Sequence, residues 1–160
     1  YNLEKQGVTC SYVMLTDARK LDNFFVFDKI LLDAPCSGSG TLNENDEKIE
    51  KNFTMKLIQK SVETQIALLK KATCLLRPGK EMVYSTCSIL ENKNEEILKK
   101  VLKETNMEIV PIDLKRELIN CCDENNYEFP LLPVKIPGTI CVCPNELFEG
   151  FFIAKIKKRG

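Results

Sequence analysis

The chain has 160 residues, 44% hydrophobic and 29% charged, and its 23 basic and 23 acidic side chains cancel. That length buries a sizeable single core, and the charge balance excludes a polycationic nucleic-acid binder. No apolar run reaches the roughly 20 residues of a membrane span, and with no histidine and no CxxC pair the usual zinc spacings fail, so neither a membrane nor a metal is expected.

Eight cysteines are many for this length: Cys10, Cys36, Cys74, Cys87, Cys121, Cys122, Cys141 and Cys143. The long helical patterns imply a core that needs no disulfides, so most of these thiols read as reduced and structural, in a cytosolic protein. The one basic cluster, Lys155, Lys157, Lys158 and Arg159, reads as a solvated tail.

The chain opens on "NLEKQGV", like the end of a helix entering a strand, which implies sequence upstream of Tyr1. "CSYVMLT" (Cys10 to Thr16), "FDKILLDA" (Phe27 to Ala34) and "EMVYSTCS" (Glu81 to Ser88) are apolar runs of strand length. Their continuous apolarity suits strands covered on both faces, as in a parallel sheet. "NENDEKIEKN" (43–52) is a charged loop or first turn. Met55, Ile58, Val62, Ile66, Leu69 and Leu76, with Ala72 and Thr73, recur at three to four residues, which predicts a helix of some six turns stopped by Arg77-Pro78-Gly79. Strand, helix and strand then form a right-handed crossover. Ile97, Leu98, Val101 and Leu102 mark a second helix over about Asn94 to Thr105. "MEIVPID" predicts another strand, and "TICVC" and "GFFIAKIKK" a closing antiparallel pair.

In doubly wound sheets, ligands bind beyond the carboxyl ends of the strands. "DAPCSG" leaves one such end and "STCS" leaves the next. If the two strands are neighbours, about 5 Å apart, Cys36 and Cys87 overlook one crevice. A lone cysteine at a strand end reads as a small buried hydrophobe. Two at matched ends, each followed by Ser, bring the two readings level, and Asp33 is also readable as a cap on the following turn. Asp17 could cap a turn too. "SGSG" lacks the lysine of a P-loop. Without an imidazole, cysteine hydrolase chemistry is closed. Two thiols can still divide the work of addition and elimination on a pyrimidine ring, one attacking and one accepting a proton.

"LLDAPCSGSGT", followed about fifty residues later by "VYSTCSILENKNEE", resembles the Sun (Fmu) family of RNA cytosine-5 methyltransferases. "MLTDAR", "LLRPGKEMVYSTC" and the closing "GFFIAKI" agree, and the resemblance covers nearly the whole chain. It implies a single catalytic domain over 1–160, seen in part. Its fold would be α/β: the Rossmann-like methyltransferase sheet, mostly parallel with a closing antiparallel pair, lacking its N-terminal strands. It implies S-adenosylmethionine as cofactor, ribosomal or transfer RNA as substrate and a cytoplasmic location. Cys87 would add to C6 of the cytosine. Cys36 would promote loss of the C5 proton and release of product. Asp33 would contact the cytosine edge and lie near the cofactor, Asp17 would bind the adenine, and Pro35 would shape the motif turn and line the pocket. A lowered pKa at Cys87, beside a helix start, is a further expectation.

The family's glycine-rich cofactor motif and the acid that holds the cofactor ribose are absent. In the family order 3-2-1-4-5-7-6 the strand "CSYVMLT" would therefore lack a neighbour in this chain, and these 160 residues alone should not methylate. "LNENDEKIEK" stands where many members carry an arginine pair, which puts a phosphate contact there in doubt. Two other functions compete: a catalytically silent module for binding or assembly, and a DNA cytosine methyltransferase in which Cys36 attacks. Cys141 and Cys143, alternating on a strand, read as core, as do Phe151 and Phe152.

Overall fold

The computed structural model describes residues 2–41, 54–113 and 130–160. The charged stretch 43–52 and the pair Cys121 and Cys122 lie outside the described residues. Helix α1 (Asn2–Lys5) and a single 3-10 turn (Ala18–Lys20) precede the sheet. Strand β1 (Phe27–Asp33), helix α2 (Met55–Leu75) and strand β2 (Leu76–Thr86) form the crossover. Helix α3 (Glu91–Glu104) and strands β3 (Met107–Val110), β4 (Ile140–Val142) and β5 (Phe151–Lys158) complete the described elements.

The sheet runs β1-β2-β5-β3, with β4 also on β5. β1 and β2 are parallel, as a single-helix crossover requires, and pair from Lys29 with Glu81 to Asp33 with Ser85. β5 runs antiparallel to β2, β3 and β4, so the expected closing pair forms. Strand periodicity then decides what each face buries. Met82, Tyr84, Phe152, Ala154 and Ile156 join Leu69 and Ala72 of α2 and Ile97, Leu98 and Val101 of α3 in one core. The Tyr84 and Phe152 rings meet edge to face, 6.3 Å between centroids. Such pairs add about 0.5–1.5 kcal/mol beyond their burial.

Thr54 caps α2, its hydroxyl accepting from the Leu57 N–H. At the other end the Lys158 ammonium donates to the carbonyls of Thr73 and Leu76, serving the acceptors a helix C-terminus leaves without partners.

One expected strand does not form. Residues 10–16 carry no sheet pairing, and Tyr12, Val13 and Leu15 are 88%, 75% and 104% exposed. A strand is stable only in a ladder. Among the described residues β1 pairs with β2 alone, so its other edge is open and residues 10–16 find no partner. The open side of β1 also shows in Leu31, 75% exposed. β2 begins earlier than expected, at Leu76, and Gly79 takes a positive φ of 75° where the β1–β2 register shifts.

Phe152→Ala should therefore destabilise the chain by about 3–5 kcal/mol in urea unfolding. Leu31→Ala should change stability by less than about 0.5 kcal/mol, because its side chain has no core to leave.

Candidate active site at two parallel strand ends

The β1–β2 ladder continues one step past β1, where the Ala34 N–H donates to the Ser85 carbonyl at 2.9 Å. The chain then leaves both strands at the same level, so loop 34–40 and loop 87–90 lie side by side. Their cysteines meet. The Cys36 and Cys87 sulfurs are 2.6 Å apart, one thiol donating to the other, and neither is in a disulfide. Gly38, at φ 69°, turns the first loop so that its N–H donates to the Cys36 sulfur at 3.2 Å.

Several bonds stitch the two loops together. The Ser39 and Ser88 hydroxyls are 2.9 Å apart and buried, and the Ile89 N–H donates to the Ser39 hydroxyl. The Gly40 N–H donates to the Cys87 carbonyl at 2.9 Å, and the Gly150 N–H to the Gly40 carbonyl at 2.7 Å. A Cβ on Gly40 would stand 1.9 Å from the Gly150 oxygen, so only glycine allows this approach to the start of β5.

The helices hold the loops from beneath. Gln65 of α2, fully buried, donates from Nε2 to the Pro35 carbonyl at 2.9 Å. Asn94 of α3 bonds both Thr86 and Ser88. Sequence reasoning missed Gln65, Asn94, Ser39 and Ser88. The first two had a signal: each is a polar residue on the apolar stripe of its helix, Gln65 four before Leu69 and Asn94 three and four before Ile97 and Leu98.

Asp33 ends β1 with its carboxylate exposed, accepting from the Ser85 hydroxyl at 3.0 Å. Pro35 is exposed beside it. Cys36, Cys87, Asp33 and Pro35 are thus brought to one end of the sheet. Asp17 is not part of this cluster by any bond described. It caps the 3-10 turn, and its carboxylate accepts from the Arg19 N–H, Nε and terminal guanidinium nitrogen. Those hydrogen bonds hold its pKa down at about 2.

The expected lowering of the Cys87 pKa is reversed. Burial pushes the Cys87 thiol up to about 11, and the hydrogen bond and charge of Cys36 and the charge of Asp33 push in the same direction. The helix start does not offset this, because α3 begins only at Glu91, beyond the loop. Burial also raises Tyr84, whose hydroxyl lies in the core without a partner among the described residues, with the charge of Cys36 adding to the shift.

At neutral pH iodoacetamide should therefore alkylate Cys87 about a hundredfold more slowly than a free thiol, with a profile that rises toward pH 11. Cys36→Ala should move the midpoint only part of the way down, since burial, the largest cause, remains.

Comparison with known proteins follows the same residues. The family described as 16S rRNA methyltransferase RsmB/F matches residues 1–157. A protein of Vibrio campbellii named ribosomal RNA small subunit methyltransferase F is 33% identical over 159 residues, covering 98% of this chain and 31% of that protein. The crystal structure of NSun6 from Pyrococcus horikoshii with SFG superposes with a TM-score of 0.77 at 28% identity, over 99% of this chain and 37% of that one. A methyltransferase homolog protein from Pyrococcus horikoshii gives 0.72 at 32% identity, over 98% and 48%. The fold is accordingly the Rossmann-like methyltransferase sheet. The chain spans about a third of the length of the curated relatives it matches.

Proposed function

Because the chain belongs to the RsmB/F family of 16S rRNA methyltransferases, we propose that it carries the two-cysteine part of an RNA cytosine-5 methyltransferase site. The substrate is small-subunit ribosomal RNA, the methyl donor S-adenosylmethionine, and the enzyme cytoplasmic. The observation that carries this reading is the contact of Cys36 and Cys87 at the ends of adjacent parallel strands. The Vibrio relative's name supports the RNA. The neighbour with SFG, an S-adenosylmethionine analogue, supports the donor.

The residues present fit one rim of a donor site. S-adenosylmethionine brings a cationic sulfonium, an amino group and an apolar adenine. Asp33 offers an exposed carboxylate at the strand end, with Ser85 bonded to one oxygen, and the exposed Pro35 ring offers an apolar surface. Asp17 fits as an ionised acceptor for the adenine only if part of the Arg19 fork yields. Among the described residues the edge of β1 away from β2 carries no further strand.

Cytosine C5 is a poor nucleophile until C6 is saturated. The Cys87 thiolate adds to C6, a C–S bond forms, and the displaced π electrons make C5 electron-rich. S-adenosylmethionine supplies a methyl group in electrophilic form. Cys36 then takes the C5 proton. The C5–H electrons restore the C5–C6 double bond and the C6–S bond breaks, returning Cys87 as thiolate. At pKa about 11 only about 1 in 10⁴ Cys87 thiols is ionised at pH 7. A base bound against both sulfurs displaces their contact, which removes the part of the Cys87 shift due to Cys36 and leaves the larger part due to burial.

RNA containing 5-azacytosine separates the roles. Cys87→Ala should form no covalent adduct and lose methylation by about 10³-fold or more. Cys36→Ala should still form the adduct on this RNA, and on RNA with ordinary cytosine it should accumulate an adduct that the unsubstituted enzyme resolves. The opposite pattern, adduct lost with Cys36→Ala and kept with Cys87→Ala, would assign the attack to Cys36, as in the DNA-type reading.

A further inference from the structure

Cys87 sits where β2 has ended at Thr86 and α3 has yet to begin at Glu91. Neither a ladder nor a helix fixes its backbone, yet an attacking sulfur has to be held to a fraction of an ångström. One side chain grips the chain on both sides of it. The Thr86 hydroxyl donates to Asn94 Oδ1 at 2.7 Å, and Asn94 Nδ2 donates to the Ser88 carbonyl at 2.6 Å. The carbonyl can only accept, so the amide has one orientation.

Asn94 is 1% exposed and stands on the apolar stripe of α3, where an amide without partners would be costly. Both ends of the amide have found a partner, and both partners flank the same cysteine. We propose that Asn94 is a positioning residue for Cys87: α3 uses its buried amide as a clamp that fixes residues 86 and 88 and so aims the sulfur between them. This rests on the reading of Cys87 as the attacking thiol. The clamp itself is a property of the fold and is testable without RNA.

The test compares the chain with Asn94→Ala and with Thr86→Val, which removes only the hydroxyl and keeps the shape should the first variant not fold. Iodoacetamide alkylation is followed cysteine by cysteine by mass spectrometry, with unfolding by circular dichroism beside it. Cys141, buried in β4, lines one cavity with Asn94 and lies across Phe152 of β5 from Thr86, so it reports whether loosening spreads beyond Cys87. Loosening the clamp should speed alkylation of Cys87 about fivefold or more, and leave Cys141 within about twofold. In a methylating preparation the same variants should lower kcat by about 10²-fold with little change in KM.

Cys87 unchanged in a folded Thr86→Val variant would overturn the proposal. So would Cys141 accelerating in step with Cys87, because that is general loosening. If Cys87 alone responds but no preparation forms an adduct through it, the clamp stands and the proposed function fails.

Discussion

The site depends on one constraint: β1 and β2 are hydrogen-bonded parallel neighbours whose register brings Asp33 opposite Ser85. Parallel strands joined by a single helix must exit at the same end of the sheet. Adjacent exits place loop 34–40 against loop 87–90, and the short side chains that follow, Ser39, Gly40 and Ser88, let the loops approach closely enough to bond. A register shift of one residue would turn every side chain of β1 to the other face. It would also carry Cys36 away from Cys87.

The sulfur contact has two consequences that pull in opposite directions. It gathers two reactive groups at one point, which addition and elimination on a ring require. It also keeps Cys87 protonated, since the bond to Cys36 and the burial around it both raise the pKa. A protonated nucleophile is a poor one, but it is also shielded from stray alkylation and oxidation. On the proposed reading, the base displaces this contact, the smaller of the two sources of protection beside burial, only when substrate is there to be attacked.

Much of this was legible in the sequence, for physical reasons. The β1–α2–β2 unit showed because apolar runs of strand length flank a long 3.6-residue periodicity, and its single-helix crossover implied adjacent strands. Residues 10–16 have strand composition but form no ladder, in line with the expectation that this segment lacks a neighbour. The Cys87 pKa was misjudged: nearness to α3 in sequence suggested a helix-dipole effect, whereas burial and Cys36, fifty-one residues away, decide it. Long-range contacts leave no local trace.

The polar residues on the apolar stripes are the partial exception. Gln65, Asn94 and Glu95 break the hydrophobic pattern of α2 and α3, and each is nearly or fully buried. A helix that only covered a sheet would have no use for them, since a buried amide or carboxylate costs stability, as at Gln65 Oε1, which has no partner among the described residues. Each instead reaches a piece of irregular backbone: Gln65 the Pro35 carbonyl, Asn94 the segment around Cys87, and Glu95 the N–H groups of Lys135 and Ile136, both at 2.6 Å. The loops have no ladder of their own, so beyond the bonds between them, rigidity is borrowed from the helices through these three side chains. The helices are thus part of the site's construction, and a substitution that improved their hydrophobic pattern would be expected to leave the sheet intact while loosening the loops above it.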